Sequence, residues 1–237
     1  MNSRTEDEQI EAIKLFLQEH GSKILLVILV LITSYFGYQS WQGNKQAASE
    51  SASVYYSELS MLVASGDRLD DSDRERFDSI FARLADEYPR SLYAGYGALY
   101  KARVEMAGNK PAQAAQTLQW VIDNNANRDI KALARLRLAR VEMARGEYSQ
   151  ALNLLQADPR AFGALYEQAR GDIYLAQGED DKALQAYKKA RSMQADTMSM
   201  SGRLLDIKIE SLESGDQGKL YTVGQAGKSL PEDEQAP

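Results

Sequence analysis

The chain has 237 residues, 44% hydrophobic and 26% charged, enough apolar material for one folded core. Its 28 Lys and Arg against 34 Asp and Glu leave a net charge of −6, which argues against a nucleic-acid partner, since phosphate binding needs clustered cations. With no cysteine and a single histidine, His20, disulfides, thiolate chemistry and a histidine metal cluster are excluded.

Residues 1–23 read as a short cytoplasmic segment carrying an amphipathic helix. Thr5 and Glu8 have the spacing of a capping box, and Gly21 is a natural helix stop. Ile10, Ile13 and Leu17 share one face, with Phe16 beside it. Such a stripe suits a partner or a membrane surface, or is simply a helical run-in.

Residues 24–42 read as a transmembrane signal anchor. The run from Ile24 to Leu31 is uninterrupted Ile, Leu and Val, and no charge occurs before Lys45. A helix over residues 24–41 spans about 27 Å, close to the ~30 Å hydrocarbon core of a bilayer. Tyr35, Tyr38 and Trp41 gather at its far end, where amphipathic rings prefer the interface. The rival readings are a buried core helix and a cleaved signal peptide. Glu6, Asp7, Glu8, Glu11 and Glu19 upstream do not suit a basic leader, and Ala47 and Ala48 lie too far out for cleavage. Arg4, Lys14 and Lys23 precede the run, whereas Lys45 stands alone until Arg68. That bias predicts a cytoplasmic N-terminus and a C-terminal domain on the far side of the membrane, which in a Gram-negative cell is the periplasm.

Residues 43–213 read as all-α, rich in Ala, Leu, Arg and Glu. A first hairpin is expected over 47–65 and 73–87, with Ser72 and Glu75 as the capping box of its second helix. Phe77, Ile80, Phe81, Leu84, Ala85 and Tyr88 follow at helical spacing, and Pro89 ends the helix. Asp67, Asp70, Asp71 and Asp73 lack the glycine and ligand spacing of a calcium loop and read as an acidic lead-in to that helix.

The hexapeptide Ala-Arg-Val-Glu-Met-Ala at 102–107 recurs at 139–144, a shift of 37 residues. The same shift carries Ala114 onto Ala151 and Leu118 onto Leu155; a further shift of 32 reaches Gly171, Ala183 and Tyr187. These shifts bracket the roughly 34-residue tetratricopeptide (TPR) period. The third unit, Gly171, Tyr174, Gly178, Ala183, Tyr187 and Ala190, resembles the TPR pattern most closely. Glu105 and Glu142 replace the aromatic of the first two units, and Asn109 replaces the first turn glycine. A helix over 198–212, with Leu204, Leu205, Ile209 and Leu212, is expected to cap the solenoid, and residues 214–237 to form a disordered polar tail.

No nucleophile elbow, phosphate loop or metal-ligand pattern occurs, so the expectation is a non-enzyme with no cofactor. The inner wall of stacked TPR hairpins is built mostly from their first helices. That register nominates Tyr96, Tyr100, Arg103, Arg137, Arg140, Met143, Gln168 and Asp172 as a protein-binding groove.

Taken together, the chain resembles the YfgM-like family of ancillary SecYEG translocon subunits over about residues 8–213. The resemblance lies in Glu8-Gln9-Ile10-Glu11-Ala12-Ile13-Lys14 ahead of the span, Gly37-Tyr38 and Trp41 at its end, the TPR units, and Ile207-Lys208-Ile209 with Leu212. It implies a tethered periplasmic TPR domain beside the SecYEG channel, working with a PpiD-type membrane-anchored chaperone on newly exported client proteins. It also implies envelope-stress signalling through a response regulator at the cytoplasmic segment. A scaffold for a different envelope assembly is the second reading. A membrane enzyme is the third, and it lacks site chemistry.

Overall fold

The computed structural model describes residues 3–64, 66–194 and 200–214. The side chains of Ile10, Ile13, Phe16, Leu17, Ile24 and Trp41 lie outside that description, as does the expected tail beyond Ser214. The chain divides into two units, Met1–Ser51 and Ala52–Pro237.

The first unit is carried by helix α1 (Ser3–Leu62), whose last turns belong to the second. The helix starts ahead of Thr5 and continues through Gly21, so neither marks an end. One interior glycine costs a helix only about 1 kcal/mol, which the helix formers around it absorb. Among the described residues no helix is long and apolar enough to cross a membrane.

The second unit contains α2 (Asp71–Glu87), α3 (Leu92–Ala107), α4 (Pro111–Asn124), α5 (Arg128–Ala144) and α6 (Tyr148–Leu154). A 3-10 turn at Arg160–Phe162 leads into α7 (Gly163–Ala176), α8 (Asp180–Met193) and α9 (Met200–Ser214). No strand occurs among the described residues. Helix α2 begins earlier than expected, and its cap is Asp70, not Ser72: the Asp70 carboxylate accepts the Asp73 N–H at 2.8 Å. Asp71 and Asp73 then sit in the first turn, beside the positive end of the helix dipole. Ser91 caps α3 through the Ala94 N–H, and Asn127 caps α5 through Asp129 and Ile130.

Pairs α3/α4, α5/α6 and α7/α8 are successive hairpins, each closed by the same C-terminal turn. Asn109, Gly146 and Gly178 occupy the left-handed region with φ of 57°, 82° and 74°. The next residue in each case, Lys110, Glu147 or Glu179, donates its N–H back to Glu105, Glu142 or Tyr174 at 2.8–2.9 Å. This is the Schellman closure, for which glycine and then asparagine are the suitable residues. The substituted asparagine therefore performs the glycine's task.

The core repeats with the turns. Ala102 and Leu118 are buried in one cluster, Ala139 and Leu155 in the next, and Gly171 lies directly against the buried Tyr187 ring in the third hairpin. Ala114, Ala151 and Ala183 lie opposite them, fully buried. The first helices also touch each other, α3 on α5 and α5 on α7, giving the nearest-neighbour contacts of a solenoid. Glu105 and Glu142, at the register of Tyr174, are buried yet satisfied: Thr117 donates to Glu105 at 2.8 Å, and Arg145 pairs with Glu142 at 2.8 Å. On the far side, Leu205 of α9 is buried against Ala183, Tyr187 and Ala190, with Ile209 and Leu212 beside it.

Gly171 tests this packing directly. A Cβ placed there would meet the Tyr187 ring at 2.4 Å. Gly171→Ala is expected to destabilise the domain by about 1–3 kcal/mol, the usual penalty for overpacking. Adding Tyr187→Leu recreates the Ala–Leu pair of the other hairpins and is expected to recover much of the loss. Thermal unfolding followed by circular dichroism checks both, and independent, additive effects of the two substitutions would contradict the account.

Candidate functional site: an arginine-rimmed cavity beside a tyrosine cluster

Helices α3, α4 and α5 enclose an open cavity of 280 Å³ lined by Ala102, Arg103, Met106, Leu118, Arg137, Arg140 and Val141. Ala102, Leu118 and Val141 are buried and form its apolar floor, while Met106 is exposed at the edge. Arg103 and Arg140 are register mates on adjacent first helices. Arg137, at the register of Tyr100, reaches across so that its Nη1 donates to the Leu99 carbonyl at 3.1 Å. Burial, then the neighbouring Arg103 and Arg140 charges, lowers the Arg137 pKa, although a guanidinium remains charged at neutral pH. Arg103 is held by Asp67 at 2.6 Å and lies 5.1 Å over the Tyr100 ring.

Next to the cavity is an aromatic cluster. Tyr56, from the last turns of α1 within the second unit, stacks on Tyr100 with centroids 5.6 Å apart and rings 8° from parallel. Its hydroxyl donates to that of Tyr100 at 3.1 Å, and Tyr93 and Tyr96 complete the group at 5.7 and 6.1 Å. Tyr96 is 40% exposed. Burial first, then the Tyr100 hydrogen bond, pushes the Tyr56 phenol up to about 12.

Of the residues nominated from the sequence, Arg103, Arg137 and Arg140 share the cavity. Tyr96 and Tyr100 adjoin it through Tyr56 and Arg103. Met143 packs instead against the Leu136–Tyr166 cluster. Gln168 is half-buried on α7. Asp172 accepts the Tyr187 hydroxyl at 2.7 Å and pairs with Lys208 of α9. Tyr56, Asp67 and Met106 also belong to the site. Met106 was visible in the repeated hexapeptide, whereas Tyr56 and Asp67 come from outside the repeat register. Of the anchor residues, Leu31, Tyr35 and Tyr38 are exposed on α1; Ile24 and Trp41 lie outside the described side chains.

The tyrosine cluster should register in alkali. The folded-state pKa of Tyr56 lies above its unfolded value, so its contribution is fully present below about pH 10 and is lost as pH rises through about 12. Tyr56→Phe is expected to flatten part of the fall in melting temperature over that window and to remove one late-ionising phenol from the ultraviolet titration. An unchanged titration curve would contradict the assignment.

The sequence model of the tetratricopeptide repeat-like domain family matches residues 14–214. A Neisseria gonorrhoeae protein named "Ancillary SecYEG translocon subunit" is 26% identical over 210 residues, covering 88% of this chain and 97% of the relative. A protein of the same name from Escherichia coli K12 is 26% identical over 213 residues, covering 87% and 96%. One from Aggregatibacter actinomycetemcomitans is 21% identical over 208 residues, covering 87% and 97%. No solved structure matches the chain. The resemblance read from the sequence motifs is thus found again across almost the full length of these relatives. With its repeated Schellman turns and small-to-large hairpin crossings, the chain belongs to the tetratricopeptide repeat-like domain family.

Proposed function

We propose that the protein is a single-span inner-membrane protein that works beside the SecYEG translocon, with its N-terminus cytoplasmic and its TPR-like domain periplasmic. There it binds newly exported polypeptides and passes them to a PpiD-type membrane-anchored chaperone, without catalysing a reaction. The observation that carries this reading is the likeness to relatives named as translocon subunits over 96–97% of their own length. The family match over residues 14–214 takes in the apolar run as well as the repeats.

The anchor reading rests on the charge-free run at 24–42. Leu25, Leu26, Leu29, Leu31, Tyr35, Phe36 and Tyr38 each keep 61–70% of their surface exposed, which a bilayer accommodates. The Thr33 hydroxyl donates to the Leu29 carbonyl at 2.9 Å, so this mid-run polar group needs no water. In this reading α9 caps the solenoid, residues 1–23 offer a cytoplasmic contact for a response regulator, and the tyrosine cluster with the arginine cavity meets clients.

Site-specific photocrosslinking in intact cells tests the proposal. A probe at Tyr38 is expected to capture channel subunits, and a probe at Tyr100 nascent exported chains or a periplasmic chaperone. One unrelated envelope protein at both sites would replace the translocon role with that of a dedicated scaffold.

A further inference from the structure

The cavity carries a charge pattern that a general interaction role leaves unspecified. The chain is acidic overall, at −6, yet Arg103, Arg137 and Arg140 converge on one small opening. Asp67 neutralises Arg103. Among the described residues no carboxylate pairs with Arg137 or Arg140. Asp172 occupies the register of Arg103 and Arg140 in the third hairpin, but Tyr187 and Lys208 engage it. Two guanidiniums lining the opening, the solvent-exposed Arg140 and the more enclosed Arg137, therefore have no carboxylate partner among the described residues. One of them, Arg137, is half-buried and pinned at a backbone carbonyl. Holding like charges together at an apolar surface is unfavourable, and an arriving anion relieves it.

The apolar half of the cavity limits what that anion belongs to. The floor of Ala102, Leu118 and Val141 offers no polar side chain, so a simple inorganic anion would leave it unfilled. A volume of 280 Å³ admits one large side chain and not a folded element. Arg137 and Arg140 are three residues apart on α5, hence on one helix face, and their planar forks suit a carboxylate. In an extended chain, residues two apart project from the same face about 7 Å from each other.

We infer that this cavity binds an extended polypeptide segment of the form apolar-x-acidic, with the apolar side chain on the Leu118 floor and the Asp or Glu carboxylate bridging Arg137 and Arg140. The inference rests on the interaction role proposed above and gives it a selectivity. Clients are chosen by a paired apolar and acidic side chain, not by hydrophobicity alone.

The test uses the full chain in detergent micelles. It compares amidated, dye-labelled peptides with a Leu-Ser-Glu core in a Gly/Ser frame and their Leu-Ser-Gln and Leu-Ser-Lys counterparts, by fluorescence anisotropy. The Glu peptide is expected to bind at least about tenfold more tightly than the Lys peptide, with the gap shrinking as salt is raised. Arg140→Gln is expected to weaken Glu-peptide binding about tenfold and leave the Gln peptide unchanged. Arg140→Lys, which keeps the charge but not the fork, is expected to lose less and serves if the first variant folds poorly by circular dichroism. Failure of the Glu peptide to bind, equal binding of Glu and Lys peptides, or unaltered selectivity in both variants overturns the inference. Should crosslinks at Tyr100 persist in that event, only the selectivity falls; should they vanish too, the interaction role falls with it.

Discussion

Everything in the repeat domain depends on how closely the two helices of a hairpin can approach. In each hairpin a small residue on the first helix shares the core with a large one from the second arm: Ala102 and Leu118, Ala139 and Leu155, Gly171 and Tyr187. The summed volume of the pair is what is held. The third hairpin takes the larger aromatic and gives up the last methyl group opposite it. Protein interiors pack densely enough that a single methylene is felt, so a crossing built this way fixes the helix spacing. The Schellman turns complete the constraint by setting where each second helix begins.

Fixed hairpins fix their neighbours. Because α3, α5 and α7 lie side by side, equivalent residues on them become spatial neighbours, and the repeat register turns into a surface pattern. Arg103 and Arg140 meet for this reason alone. Arg137 lines the same cavity, while the residue at its register one hairpin earlier, Tyr100, stacks on Tyr56. The tyrosine cluster and the arginine cavity are thus two outcomes of one register position filled by different chemistry. Arg103 joins them, lying over the Tyr100 ring while lining the cavity.

Much of this was legible in the sequence because it repeats. The identical hexapeptides gave the register, and the register placed the turns at Asn109, Gly146 and Gly178 and the small residues at 102, 139 and 171. What escaped was whatever lies outside that periodicity. Tyr56 approaches from α1, and Asp67 from the loop ahead of α2, and no spacing rule connects either to residue 100 or 103. Local signals at helix ends are ambiguous for a related reason. Ser72 and Asp70 both satisfy capping chemistry, and it is the Asp70 carboxylate that accepts the Asp73 N–H. Gly21 looked like a stop, but a glycine ends a helix only when the chain has somewhere else to go.

The unlike third crossing also shapes the charge of the site. Placing a tyrosine at 187 brings a hydroxyl to Asp172, and α9 adds Lys208 to the same carboxylate. A carboxylate at the register of Arg103 and Arg140 would otherwise continue the arginine row with an acid available to those guanidiniums. Engaged by Tyr187 and Lys208, it leaves Arg137 and Arg140 without an internal counter-ion among the described residues. The tyrosine that fills the last hairpin is thus also a hydrogen-bond partner of the carboxylate at this register. An acidic partner can meet the arginine cavity without displacing an intramolecular ion pair from Arg137 or Arg140.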